Sequence, residues 1–301
     1  MRRREMLRST GAAVLGLSTF PLGWVAAEEK KKQPKVLYFT RSTGYEHSVV
    51  KRDGDRLSYS ERILTDLGKE HGVVVDCTKD GRVFDGDLDQ YDAIAFYNCG
   101  NPDEPAIDGG APISPNGKRR LLEAIAAGKG FVGIHSACYC YYSTGPKFEI
   151  QTKVDPYVTM LGGEFVQHGQ QQEATARVVS PEFPGVKEIG ESFRMVDEWY
   201  GLKNFARDLH VILVLETEGM KRESPVDKES YDRPPFPCTW ARMQDKGRVF
   251  YTAMGHREDV WDSRVFQQIL LGGFAWAMGR VDADITPNLD RVAPKASQLR
   301  A

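Results

Sequence analysis

Six histidines occur in the 301-residue chain, and four of them follow an apolar run or sit in a glycine-marked turn: His47, His135, His168 and His256. Together with the adjacent carboxylates Asp197 and Glu198 they form a donor set of neutral imidazole and carboxylate. That set suits zinc or another divalent first-row metal. Such an ion would polarise a carbonyl or bring the pKa of bound water down to about 7. Without a metal, a histidine beside Glu198 can still transfer protons, an effect worth roughly 10²–10⁴-fold. The candidate catalytic residues are therefore His135, Glu198 and Asp197, and the candidate metal ligands are His47, His135, His168 and His256, with zinc as first choice. Asp197-Glu198 also fits an exposed acidic turn, and a single histidine at a strand end fits a satisfied structural group. His71, at a helix end where a cation suits the dipole, and His210, opening a strand, read as structural.

The sharpest local feature is Phe131-Val132-Gly133-Ile134-His135-Ser136-Ala137. Small residues flank its centre, as a tight strand-to-helix elbow requires when it exposes one side chain. Here that side chain is an imidazole. Ser136 is a nucleophile only if the elbow shifts by one residue, and Cys138 lies a helical turn beyond it, so a cysteine hydrolase is poorly supported. The five cysteines, Cys77, Cys99, Cys138, Cys140 and Cys238, have no regular spacing and contain no CxxC pair, which reads as free thiols.

These groups need a scaffold that collects strand ends. Apolar runs at 35–40, 73–75, 91–97 and 130–134 predict strands, and helical periodicity predicts helices through Leu57–Leu67, over 117–127 and over 263–278. Strand-helix-strand alternation with short links predicts right-handed crossovers and a doubly wound, mostly parallel α/β sheet flanked by helices. Further strands at 173–179, 211–216 and 248–253 make the second half β-rich. In open α/β sheets ligands bind beyond the carboxyl ends of the strands, where the four histidines fall.

Arg2-Arg3-Arg4 with Leu7 and Arg8, a mild apolar run to Ala27 and small residues at 25–27 read as a cleavable twin-arginine signal over residues 1–27. The expectation is export to the periplasm with no stable membrane span after cleavage, since the run is shorter and milder than the about 20 apolar residues of a spanning helix. Residues 28–34 form a charged linker, 35–280 the domain, and 281–301 a C-terminal tail. A formal charge of −2 gives no electrostatic case for nucleic acid, and no nucleotide cofactor is expected. A homodimer through an edge strand is left open.

The order of several motifs resembles the trehalose-utilisation (ThuA-like) family: Thr43-Gly44-Tyr45-x-His47, the His135 elbow, Leu161-Gly162-Gly163-x-Phe165-x-x-His168, Asp197-Glu198-x-Tyr200, Gly247–Tyr251 leading to Gly255-His256, and Gly273-x-x-Trp276-Ala277-x-Gly279. The resemblance covers roughly residues 35–280. It implies the class I glutamine amidotransferase-like fold, of flavodoxin-like type, without that superfamily's catalytic cysteine. It also implies a sugar substrate: a disaccharide, glycoside or keto-sugar. Candidate substrate contacts are then Arg41, Thr43, Tyr45, Asn98 and Ser136, with Tyr200 and Trp240 able to stack on a sugar ring or equally to serve the core. A non-catalytic carbohydrate-binding protein with the same pocket is the alternative. Two departures from the family pattern stand out. Gly169 replaces an expected proline after His168, which would loosen that loop. Cys138–Tyr142 is unusually aromatic, which would reshape one wall of the pocket.

Overall fold

The computed structural model describes residues 33–300, so the stretch read as a twin-arginine signal over 1–27, with its expected cleavage, lies outside the described residues. The first four strands, β1 (Lys35–Phe39), β2 (Val74–Thr78), β3 (Ala93–Phe96) and β4 (Gly130–Ile134), pair in parallel in the order β2-β1-β3-β4. β1, β3 and β4 are buried almost throughout, which is why their sequences are continuous apolar runs rather than alternating ones. The sheet then continues through β11 (Gly247–Thr252), parallel to β4, into β10 (Phe236–Gln244), β9 (His210–Glu216), β6 (Gln172–Val178) and β7 (Ser192–Asp197), each antiparallel to its neighbour. The expected α/β sheet is thus parallel over its first five positions and antiparallel over the last four. A separate ribbon pairs β5 (Glu164–His168) with β8 (Tyr200–Lys203) across a bulge between Phe165 and Gln167.

The helices are α1 (Tyr59–Glu70), α2 (Pro115–Ala126), α3 (Pro156–Leu161), α4 (Pro225–Tyr231), α5 (Glu258–Asp262), α6 (Arg264–Ala277) and α7 (Leu289–Val292). Local chemistry sets their starts. Ser58 and Glu61 form a reciprocal capping box on α1, and Ser114 and Asp155 cap α2 and α3 just before a proline in the first turn. α6 packs on β11 and β4, and its Phe266, Ile269, Leu270 and Trp276 are buried. Burial of each such side chain contributes about 1.5–3 kcal/mol.

The segment read as a C-terminal tail docks on the domain. Asn288 accepts from the Val211 backbone N–H and donates to the Val211 carbonyl, and the Ala296 carbonyl accepts from the buried Arg233. These bonds hold the C-terminal residues on the antiparallel half of the sheet. Among the described residues no helix is long and apolar enough to cross a membrane.

Candidate functional site

Loops after three parallel strands and one antiparallel strand converge on one group of side chains: His47 after β1, His135 after β4, His256 after β11, and Glu198 between β7 and β8. One ligand atom from each lies within 4.8 Å of the others. Donor atoms about 2.0–2.2 Å from a shared first-row metal stand at most about 4.4 Å apart, so only a small contraction separates this arrangement from a coordination sphere.

His135 opens a helical turn at a backbone φ of 45°, a left-handed conformation uncommon for a residue with a side chain. The elbow stays tight because a Cβ on Gly133 would stand 2.9 Å from the Tyr251 ring and 3.0 Å from Leu161. The turn aims the imidazole inward, where Nδ1 lies 2.7 Å from the Ala253 carbonyl oxygen. That contact fixes Nδ1 as the protonated nitrogen and leaves Nε2 with a bare lone pair, buried and without a partner, 3.7 Å from Glu198 Oε2.

His256 Nδ1 sits 3.0 Å from the same carboxylate oxygen but off the line of a hydrogen bond, and His47 Nδ1 likewise has no partner. Three buried imidazoles, each with an unpaired nitrogen, converge on one carboxylate. Buried polar atoms are usually satisfied, so this concentration of orphans is what an ion-binding site looks like. Burial, reinforced by His135 and His256, holds the His47 imidazole well below the usual histidine range, in the neutral form a metal needs.

Around this group lies a supporting layer. Asp197 is fully buried and accepts from the backbone N–H of Gly255 at 2.8 Å, His256 at 3.2 Å and Glu198 at 2.9 Å. Burial raises its carboxyl against the pull of His135 and the backbone donors. Asp197, read from sequence as catalytic, thus ties the Glu198 turn to the His256 loop.

His168, read as a ligand, is the rim residue. Its Nδ1 stands 3.3 Å from Glu198 Oε1 and 2.9 Å from the Gly169 carbonyl, and it lies outside the four-residue group. Glu198, read as the base, takes the fourth position. The His168 loop is pinned rather than loosened by Gly169. Its N–H donates to Tyr231 Oη at 3.0 Å, which proline could not do, and a Cβ there would lie 2.3 Å from Asp227 Oδ1.

The other sequence candidates divide. Tyr200 covers His135 with ring centroids 4.2 Å apart, and its hydroxyl reaches His47 Nε2 at 3.4 Å. Tyr45, largely exposed, meets the His47 ring edge at 4.9 Å. Asn98 and Ser136 are fully buried beyond β3 and β4, and Asn98 Oδ1 and Ser136 Oγ have no partner. Thr43 Oγ1 donates to the Cys99 carbonyl. Arg41 is not brought to the group: its guanidinium is buried and donates to the carbonyls of Gly110, Pro102 and Glu104, bracing the loop after β3. Trp240 is also elsewhere, packed on Tyr251 and Phe205 with Nε1 donating to the Leu161 carbonyl.

Sequence reasoning missed Tyr97. Its ring lies 5.4 Å from His47 and 5.6 Å from His135, and its hydroxyl donates to the Gly255 carbonyl at 3.0 Å. Its position at the carboxyl end of an apolar strand was the available clue. The cysteines are free, and burial pushes the Cys138 thiol well above its usual range, away from nucleophilic duty. His210, as expected, is structural, held between Ser180 and the Thr286 carbonyl.

Comparison with known proteins agrees with this architecture. A ThuA-like protein from Bacteroides uniformis ATCC 8492 superposes with a TM-score of 0.62 at 21% identity, covering 85% of this chain and 95% of that one. A second, from Parabacteroides merdae ATCC 43184, gives 0.57 at 18% identity, covering 84% and 93%. No curated protein matches the sequence. The sequence profile of the family described as "ThuA: Trehalose utilisation" matches residues 35–277, and the chain belongs to that family.

Proposed function

We propose that the protein is an enzyme of carbohydrate catabolism acting on a disaccharide, glycoside or keto-sugar, with a divalent metal, zinc by preference, held by His47, His135, His256 and Glu198. The observation that carries this reading is the set of buried, unpaired imidazole nitrogens facing one carboxylate. A His₃-carboxylate set fits first-row divalent ions and lacks the thiolates that would favour softer ones. When bound, such an ion supplies Lewis acidity toward a sugar oxygen and acidifies water.

The chain's own residues do the rest. The Ala253 carbonyl keeps the proton on His135 Nδ1, so that Nε2 remains a ligand atom. Asp197 holds the Glu198 turn and the His256 loop in register through three backbone N–H bonds. His168, half-exposed beside Glu198, is placed to take or return a proton at the rim. Asn98 Oδ1 and Ser136 Oγ, buried and unpaired, offer an acceptor and a hydroxyl to sugar hydroxyls.

The reading includes export: the order of basic, apolar and small residues over positions 1–27 supports twin-arginine cleavage, with a mature protein beginning at Glu28.

The test is turnover of a panel of disaccharides, glycosides and their keto derivatives by metal-loaded protein. Turnover that disappears on chelation and in His135→Ala is the expected result. Turnover that survives both removes the metal centre from the mechanism. Sugar binding without turnover favours a non-catalytic carbohydrate-binding protein.

A further inference from the structure

The stretch Ala253–His256, directly after β11, governs two of the three imidazoles. At its start the Ala253 carbonyl meets His135 Nδ1 at 2.7 Å, and at its end stands His256 itself. Between them lies Gly255, at a backbone φ of 120°, a conformation open to glycine and to almost no other residue. A Cβ there would also press on Ile134 at 3.3 Å and on Phe266 at 3.4 Å. Glycine has the most backbone freedom to lose, so a ligand placed directly after it is poorly aimed unless the peptide is held from outside.

That peptide is held at every polar atom. The Gly255 N–H donates to Asp197 Oδ2 at 2.8 Å, and the His256 N–H to Asp197 Oδ1 at 3.2 Å. The Gly255 carbonyl accepts two bonds, from Tyr97 Oη at 3.0 Å and from Trp261 Nε1 at 2.9 Å. One donor satisfies a buried carbonyl; a second, from a different element, restrains its direction as well. Tyr97 follows β3 and Trp261 lies on α5, and both are fully buried. Asp197 joins the His256 loop to Glu198. Tyr97 joins it to the other two histidines, since the same ring lies 5.4 Å from His47 and 5.6 Å from His135. A ligand loop fixed in this way spares an incoming ion the cost of ordering it, and affinity rises by that amount.

We infer that Tyr97 and Trp261 are positioning residues for the metal centre: their joint grip on the Gly255 carbonyl fixes the direction of the His256 imidazole and so sets how tightly the ion is held. The inference rests on the metal reading above and names the residues that preorganise that centre. Neither belongs to the four-residue group; each acts through the backbone that leads into His256.

The test is zinc affinity of the full chain by chelator competition, for wild type, Tyr97→Phe, Trp261→Phe, the double variant and Trp240→Phe, with denaturant stability measured on each without metal. Trp240→Phe is the control, because it gives up an equally buried indole bond, 2.8 Å to the Leu161 carbonyl, away from the centre. Tyr97→Phe and Trp261→Phe should each weaken zinc about tenfold, and the double variant about a hundredfold, while the control loses stability and keeps wild-type affinity. The visible absorption of the cobalt-loaded protein, which reports ligand geometry, should change in both single variants and not in the control. If the double variant does not fold, the single variants decide. Single variants that keep wild-type zinc affinity and cobalt absorption overturn the inference and leave the metal reading standing. Affinity that falls in step with stability in every variant, the control included, overturns it too, because the bonds are then structural only. Wild type that binds neither zinc nor cobalt removes the metal reading and this inference with it.

Discussion

Two groups of buried polar side chains lie beyond the carboxyl ends of the parallel strands, and they are built on opposite rules. Near β1 and β2, Glu61 accepts two bonds from Arg52 at 2.8 Å, one from Thr40 Oγ1 at 2.7 Å and one from the Ser58 N–H at 2.9 Å, while Lys79 donates to the Thr40 carbonyl and to Asp108. Donors and acceptors there are matched almost completely, with Asp108 Oδ1 the one carboxylate oxygen left over. Where the loops after β1, β4 and β11 meet, the reverse holds: His47, His135 and His256 each bury a nitrogen with no partner. Matched buried charge holds loops together, whereas unmatched buried nitrogen costs stability unless something arrives to accept it. The difference separates scaffold from site without reference to any relative.

That contrast can be broken from either side. The largest stability effect belongs to the matched group. Glu61→Ala removes the partner of Arg52 and half of the α1 capping box, so denaturant titration should show a loss of about 3 kcal/mol, with metal content per folded molecule unchanged. A variant as stable as wild type would mean that the network is decorative.

A smaller effect is expected at the rim. His168→Ala leaves the four-residue group intact but removes the neighbour that steadies Glu198, and should weaken metal affinity about 10–100-fold in a chelator competition. Complete loss of metal would promote His168 to a ligand. The smallest effect belongs to Trp240→Phe, which gives up one indole bond to the Leu161 carbonyl inside the core. It should cost about 1 kcal/mol and leave metal and sugar binding alone. A change in sugar affinity would bring Trp240 back into the pocket.

How much of this was legible in sequence follows the same division. β1, β3 and β4 announce themselves because strands buried on both faces must be apolar throughout, and the Gly133–Ala137 elbow because a tight turn excludes bulk. The β5–β8 ribbon does not, since Glu164–His168 and Tyr200–Lys203 are short, mix charged with apolar residues, and gain meaning only from pairing with each other across a bulge. The elements around that ribbon put Glu198 within the four-residue group and leave His168 at its rim. Tyr200 and Trp240 illustrate the same limit. Both are buried aromatics in strands, and only the three-dimensional arrangement shows that one lies on His135 and the other on a backbone carbonyl. Gly169 could not be read as a pin because its partners, Tyr231 and Asp227, lie on α4, far along the chain.

The unpaired nitrogens of His47, His135 and His256 are proposed to form a metal centre with Glu198. Elemental analysis of the purified protein, beside a His135→Ala/His256→Ala double variant, tests it most directly. The expected result is close to one divalent first-row ion per chain in the native protein, zinc foremost, and essentially none in the double variant, which remains folded by circular dichroism. Native protein that takes up no ion even after incubation with zinc, manganese or nickel, or a double variant that retains a full equivalent, would contradict the claim.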